Sequence, residues 1–156
     1  MSTEPKQTPL HDRHRGLGAR LSVFGGYEMP LWYPGGGAKT EHLAVIARAG
    51  LFDTSHMSAV RLTGTQALDL LQECCTRDLE HCFGSDKRPL QPGMSAYGAY
   101  LNEAGGVIDD TLIYQLGPRD YLSVVNAGQG ATLATHLDGA ANGREVSVTD
   151  LTDQLG

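Results

Sequence analysis

The segment with the most chemical content reads Gly105-Gly106-Val107-Ile108-Asp109-Asp110-Thr111-Leu112-Ile113-Tyr114. Its residues suit a strand, and side chains along a strand alternate between two faces. Ile108, Asp110, Leu112 and Tyr114 then share one face, and Asp109, Thr111 and Ile113 the other. A carboxylate among large apolar neighbours is costly to desolvate unless it is hydrogen-bonded or meets a ligand. Asp110 is therefore a candidate functional group in a pocket with apolar walls. The alternative turns this face to solvent and leaves Asp110 to bond a nearby backbone turn.

Tyr97 and Tyr100 precede this strand across a turn at 102–106. Without a bulge Asp110 faces Gly98, which leaves space above the sheet; a one-residue bulge brings Tyr97 beside it instead. Either arrangement suits a flat aromatic ligand, although strand propensity alone also supplies tyrosines. Asn126, just ahead of Ala127 and Gly128, is placed to cap a following helix or to offer its amide to the edge of a heterocycle.

Other groups are less suggestive. Asp53, Ser55 and His56 lie on one short loop, where a Ser/His/Asp relay cannot adopt its geometry, and a tight turn with Asp53 and Ser55 bonding the backbone is expected. Cys74, Cys75, His81 and Cys82 lack the paired spacing that closes a zinc site, so no metal is expected. An odd number of cysteines, two of them adjacent, fits a reducing, cytoplasmic setting and not a disulfide framework. The glycines at 16–18 and 35–37 lack the Lys-Ser/Thr that follows a phosphate-binding loop.

These groups need elements to hold them. The chain has 156 residues, 40% of them hydrophobic, enough for a sizeable core. A net charge of -6 with no basic cluster argues against nucleic acid or a membrane surface as partner. No apolar run reaches the roughly 20 residues that span a bilayer. Residues 1–10 are polar with two prolines and read as a flexible arm; 11–156 read as one domain. A short basic helix or turn is expected over 11–20, extended chain over 21–33, and a helix capped at Thr40 and ended at Gly50. Further on come a strand at 57–62, a helix at 65–75, and an antiparallel meander at 94–101, 107–115 and 121–126. A helix at 129–137, with Ala131, Leu133, Ala134 and Leu137 inward, and a strand at 145–148 follow. The class is α+β, antiparallel sheet with packed helices.

Several separated motifs in this order resemble the glycine cleavage system T protein, or aminomethyltransferase, family. They are Thr8-Pro9-Leu10-His11, Gly18-Ala19-Arg20, Gly26-Tyr27-Glu28-Met29-Pro30-Leu31, Glu41-His42 with Ala44-Val45, Ala49-Gly50-Leu51-Phe52-Asp53-Thr54-Ser55-His56-Met57, and 105–114. The chain departs from the family at Ile46, where an arginine is usual, and at Tyr27, where a tryptophan is usual. The resemblance implies the N-terminal part of a folate-binding fold in which tetrahydrofolate accepts an aminomethyl group from the lipoyl arm of a partner H protein, releasing ammonia. It also implies that Asp110 is the catalytic carboxylate and that Met57, Tyr97, Leu112, Tyr114 and Asn126 contact the folate. Members of the family run to more than twice this length. The expectation is accordingly an N-terminal fragment or split subunit that joins a separately encoded C-terminal half or a copy of itself. The alternatives are a folate-binding module or inactive remnant without turnover, and a related folate-dependent demethylase.

Overall fold

A computed structural model of the chain describes residues 4–155, which fall into two compact units, one ending at His56 and the other running Met57–Leu155. In the first, α1 (His11–Gly16) is followed by a hairpin of β1 (Arg20–Phe24) and β2 (Tyr27–Trp32) and by α2 (Gly37–Ala47). Within the arm expected over 1–10, the Lys6 N–H donates to Gly26 O and the Glu28 N–H donates to Lys6 O, both at 2.8 Å. Residues 1–3 lie outside the described residues. Helix α1 is basic but not simply solvated, because His11 and His14, one turn apart, are buried while Asp12, Arg13 and Arg15 are exposed. Helix α2 starts three residues before Thr40, and Gly50 does not take the left-handed backbone expected of a terminator.

The second unit is one antiparallel sheet with two helices. Its elements are β3 (Ser58–Thr63), α3 (Ala67–Cys74), β4 (Ser95–Leu101), β5 (Val107–Gly117), β6 (Asp120–Val125), α4 (Gly130–Ala140) and β7 (Ser147–Asp150), with sheet order β4-β5-β6-β3-β7. The chain is thus α+β, with the meander where the alternating pattern places it. Helix α3 turns Ala67, Leu70, Leu71 and Cys74 inward, the spacing of a single helical stripe. From α4 Leu133 and Leu137 join them, and Gly130, not the exposed Ala131, completes the buried side. Val60, Leu62, Ile113 and Val125 meet these helices from the sheet, fully buried. Each such side chain contributes about 1.5–3 kcal/mol by leaving water.

Strand β7 begins two residues later than its apolar pattern suggests. Glu145 is held at the start of α3, its N–H donating to Gln66 Oε1 at 2.9 Å and its carboxylate accepting from Thr65 Oγ1 at 2.7 Å, so pairing with β3 starts beyond it. At the other margin, Cys75 and Thr76 run beside β4. The Thr76 N–H donates to Ala99 O at 2.9 Å, and the Ala99 N–H donates to Thr76 Oγ1 at 3.0 Å. The free thiols of Cys74 and Cys75 are buried, and burial pushes both up in pKa, which suits packing and not nucleophilic work. No helix among the described residues is long and apolar enough to cross a membrane.

At Gly98 the chain around Cys75 and Arg77 lies close against β4. A Cβ there would lie 2.8 Å from Cys75 Sγ and 2.9 Å from Arg77 Cβ, inside ordinary contact. Gly98→Ala is expected to lower the stability of this unit by about 1–3 kcal/mol, the usual cost of overpacking. Urea unfolding followed by far-UV circular dichroism measures this, and an unchanged midpoint would contradict it.

Candidate functional site

The sheet register assembles the expected site residues. Asp110 pairs with Ala99, Thr111 with Val125, and Val125 with Ser58. One step further along these ladders puts Ala99, Asp110, Asn126 and Met57 in a row across the strands. Tyr97 pairs with Leu112, and Tyr114 pairs with Ser95 and Leu122. Alternation then sets Asp110, Leu112 and Tyr114 on one face with Tyr97, because Thr111, Ile113 and Gln115 are buried on the other. Asn126 and Met57 stand immediately outside β6 and β3, at the same end of the sheet.

At the centre is a hydrogen-bonded group. Tyr97 Oη donates to Asp110 Oδ2 at 2.7 Å, and Asn126 Nδ2 donates to Asp110 Oδ1 at 2.8 Å. The same Nδ2 donates to Asp109 Oδ1 at 2.8 Å, and the Asn126 backbone N–H donates to Asp109 Oδ2 at 2.7 Å. The bond from Tyr97, and then that from Asn126, hold the Asp110 carboxyl below its ordinary value, so it is ionised at neutral pH. The Tyr97 phenol moves the other way, raised by its bond to Asp110 and by the charge of that carboxylate, and remains a donor. Asn126 does not cap α4; that position belongs to Gln129. Its Nδ2 is committed to the carboxylates, which leaves Oδ1 to meet a ligand's donor.

Three expectations change. The irregularity lies between Tyr100 and Leu101, where Leu101 pairs with Val107 and Tyr100 with Asp109, so Ile108 is the extra residue. Asp110 therefore faces Ala99, neither Gly98 nor Tyr97, and the phenol of Tyr97 reaches it diagonally along the same face. Ile108 packs against the core instead of sharing the Asp110 face. Tyr100 also leaves the group: it is fully buried, and its hydroxyl is 2.5 Å from Ser123 Oγ.

The apolar enclosure expected around Asp110 is not what these residues build. Asp110 is exposed, as are Tyr97 (63%) and Leu112 (39%), while Tyr114 and Met57 are half-buried. The face is an open platform with a charged group at one end. A cavity of about 500 Å³ lies instead in the first unit, lined by residues that include Met29, Tyr33, Glu41, Val45, Phe52 and Asp53. Three of its polar residues, Asp53, Tyr33 and Glu41, are engaged with protein. Asp53 accepts from Thr8 Oγ1 at 2.8 Å and from the Ser55 N–H at 2.9 Å, and lies 2.8 Å from His14 Nε2. A carboxylate only accepts, so Nε2 carries the hydrogen; His14 Nδ1 lies 2.6 Å from Tyr33 Oη. The Tyr33 N–H donates to Glu41 Oε1 at 2.7 Å. This cavity has walls and Asp53 is bonded within the fold beside it, whereas Asp110 stands exposed on the sheet.

Sequence reading missed the His14–Asp53 pair, whose members lie 39 positions apart; the turn expected at Asp53 and Ser55 is present. His56 takes no part in it and sits edge-on to Phe24 and Tyr27.

Residues 10–156 match the GCVT N-terminal domain. The chain belongs to this family. An aminomethyltransferase of Deinococcus deserti is 41% identical over 152 residues, covering 97% of this chain and 40% of its own length. One from Thermus thermophilus is 39% identical over 149 residues, covering 96% of this chain and 40% of its own length. Among solved structures, the glycine cleavage system aminomethyltransferase T from Bartonella henselae superposes with a TM-score of 0.81 at 35% identity, over 94% of this chain and 38% of that one. The chain thus spans about two fifths of the length of these relatives. In this member of the GCVT N-terminal domain family, the motif at 49–57 contains Asp53, anchored as above, and ends at Met57 beside the platform.

Burial alone would push the Asp53 carboxyl up, but bonds from Ser55, His14 and Thr8 outweigh it and hold the group well below the carboxylate range. With its pKa depressed in the folded state, Asp53 stabilises fully above its unfolded value of about 4, and that contribution is lost as pH falls from there toward the folded value. Asp53→Asn is expected to cost about 2 kcal/mol at pH 7. The difference from wild type should shrink as pH falls below about 4. Urea unfolding read through Trp32, the single tryptophan, measures both. A difference that stays constant through the acid range would overturn the assignment.

Proposed function

We propose that this chain supplies the tetrahydrofolate platform of an aminomethyl transfer reaction of the glycine cleavage type. The observation that carries this reading is the Asp110 carboxylate on an open sheet face, accepting from Tyr97 and Asn126 and set beside Leu112, Tyr114 and Met57. These residues fit the ligand by chemistry. A reduced pterin is flat and rich in N–H donors, and this face offers an aromatic and apolar surface ending in an acceptor. Tetrahydrofolate, when bound, supplies the nitrogen that takes up the one-carbon unit.

Each residue then has a definite task. Leu112, Tyr114 and Met57 shield one side of the ring from water, and the Asn126 amide oxygen accepts from the ligand's edge. Asp110 orients the ring, and its negative charge stabilises positive charge that develops on the folate nitrogen as the bond to carbon forms. It is also the group positioned to take a proton from that nitrogen, at Oδ1 or Oδ2. The Tyr97 phenol, kept protonated, lowers the basicity of Asp110 and so favours orientation over early protonation. The aminomethyl donor in this reading is the lipoyl arm of an H protein. The remaining walls would come from a further polypeptide segment or a second copy, and the compartment in this reading is the cytoplasm.

A second reading, a folate-binding module without turnover, is favoured by one observation: the Asp110 face is open, whereas group transfer needs water kept from the reacting atoms.

Titration of the chain with tetrahydrofolate, followed calorimetrically, tests both. Wild type should bind, and Asp110→Asn should weaken binding about 10- to 100-fold, the worth of a hydrogen bond to a charged group. Incubation with aminomethylated H protein then separates transfer from binding alone. Failure of the wild-type chain to bind tetrahydrofolate would sink the proposal.

A further inference from the structure

We propose that Asp109 is a positioning residue for this site, holding the Asn126 amide in the one orientation that donates to Asp110 and presents its oxygen outward. The inference rests on the folate reading for its consequence, but the geometry stands without it. Adjacent residues of a flat strand point to opposite faces, so consecutive acids do not ordinarily reach one amide. Here they do, next to the extra residue Ile108, where bulging locally re-aims side chains.

The Asp109 carboxylate spans both nitrogens of Asn126. Oδ2 accepts the backbone N–H at 2.7 Å and Oδ1 accepts from Nδ2 at 2.8 Å. That pair of bonds fixes the side-chain torsions of Asn126, since its backbone end directly follows Val125, the last β6 residue paired in the sheet. It also fixes which end of the amide is which. A flipped Asn126 would aim its oxygen at two acceptor-only carboxylates, a repulsive contact with no hydrogen to share. With the flip excluded, the second Nδ2 hydrogen must go to Asp110 Oδ1, at 2.8 Å. The amide thus sits between acids that would repel each other, and it links their alignment. Among the described residues, Tyr97 on β4 is the further titratable group hydrogen-bonded to this cluster, engaging Asp110 on its other oxygen.

The alternative is that Asp109 merely adds negative charge beside Asp110. The two roles predict opposite signs for one measurement. In the positioning role, Asp109→Asn releases Asn126, and the donor that Asp110 loses outweighs the relief of repulsion, so its pKa rises. If Asp109 acts only through charge, its removal relieves repulsion and the Asp110 pKa falls. Carbon-detected nuclear magnetic resonance titration of the Asp110 carboxyl, in the full chain without ligand, reads the sign directly. A rise is expected; a fall, or no change, overturns the proposal.

Wild type provides a check that does not depend on the variant folding. As Asp109 is protonated, the backbone amide and Nδ2 proton resonances of Asn126 should move together with its carboxyl carbon. Resonances that ignore Asp109 would overturn the proposal as surely. For the site, Asp109→Asn should weaken tetrahydrofolate binding about tenfold. Unchanged affinity would remove the functional consequence. Should wild type not bind tetrahydrofolate at all, the folate reading fails, and the carboxyl titration still decides whether Asp109 positions Asn126.

Discussion

Backbone alternation in a sheet covered on one side governs the second unit. Helices α3 and α4 occupy one face, so strand residues on that side are mostly apolar or internally satisfied, with Ser58 Oγ and Gln115 Oε1 as buried exceptions. Val60, Leu62, Ile113 and Val125 meet the first requirement, and Thr111 meets the second by donating its hydroxyl to Val124 O at 3.1 Å. The opposite face carries no such obligation. Polar and charged groups can stand there without a desolvation cost, which is why Asp110 is tolerated on a central strand.

The bulge at Ile108 modifies this constraint at one end of β5. It returns an isoleucine to the core and brings both acids to Asn126. Strand physics thus separates two jobs along one segment: residues 111–115 serve the core by strict alternation, and 108–110 break it to build a charged cluster. Like charges so close would ordinarily push one carboxyl toward protonation. With the Tyr97 phenol donating to one oxygen and the Asn126 amide to the other, the Asp110 carboxyl stays below its ordinary value.

The sequence made some of this readable and hid the rest for physical reasons. The buried stripe of α3 and the meander could be seen because helical and strand periods leave their marks locally. The side of the sheet on which Asp110 lies was also within reach, but whether that side is covered is not encoded in β5 itself. Whether a bulge forms, and with which residue, stays open in the sequence because it depends on pairing across the turn, where neither Gly105-Gly106 nor the tyrosines specify which residue is left over. The anchoring of Asp53 by Thr8, His14 and Ser55 joins segments distant in sequence, and no local pattern reports such a meeting. Lys6 shows the same limit, since a polar, proline-flanked stretch looks unstructured until its backbone partners at Gly26 and Glu28 are known.

The run of Cys75 and Thr76 along β4 bears on a different matter, the tendency of sheets to recruit strangers. A bare outer strand is a template for another chain's backbone, and fibres grow when each copy offers two such margins. Beside Ala99 one margin is already taken by the protein's own chain, held by a backbone bond and a threonine hydroxyl. An incoming strand would have to evict that segment first, next to Gly98, where there is no room to spare. Extension of the sheet through β4 by lateral pairing is thereby obstructed.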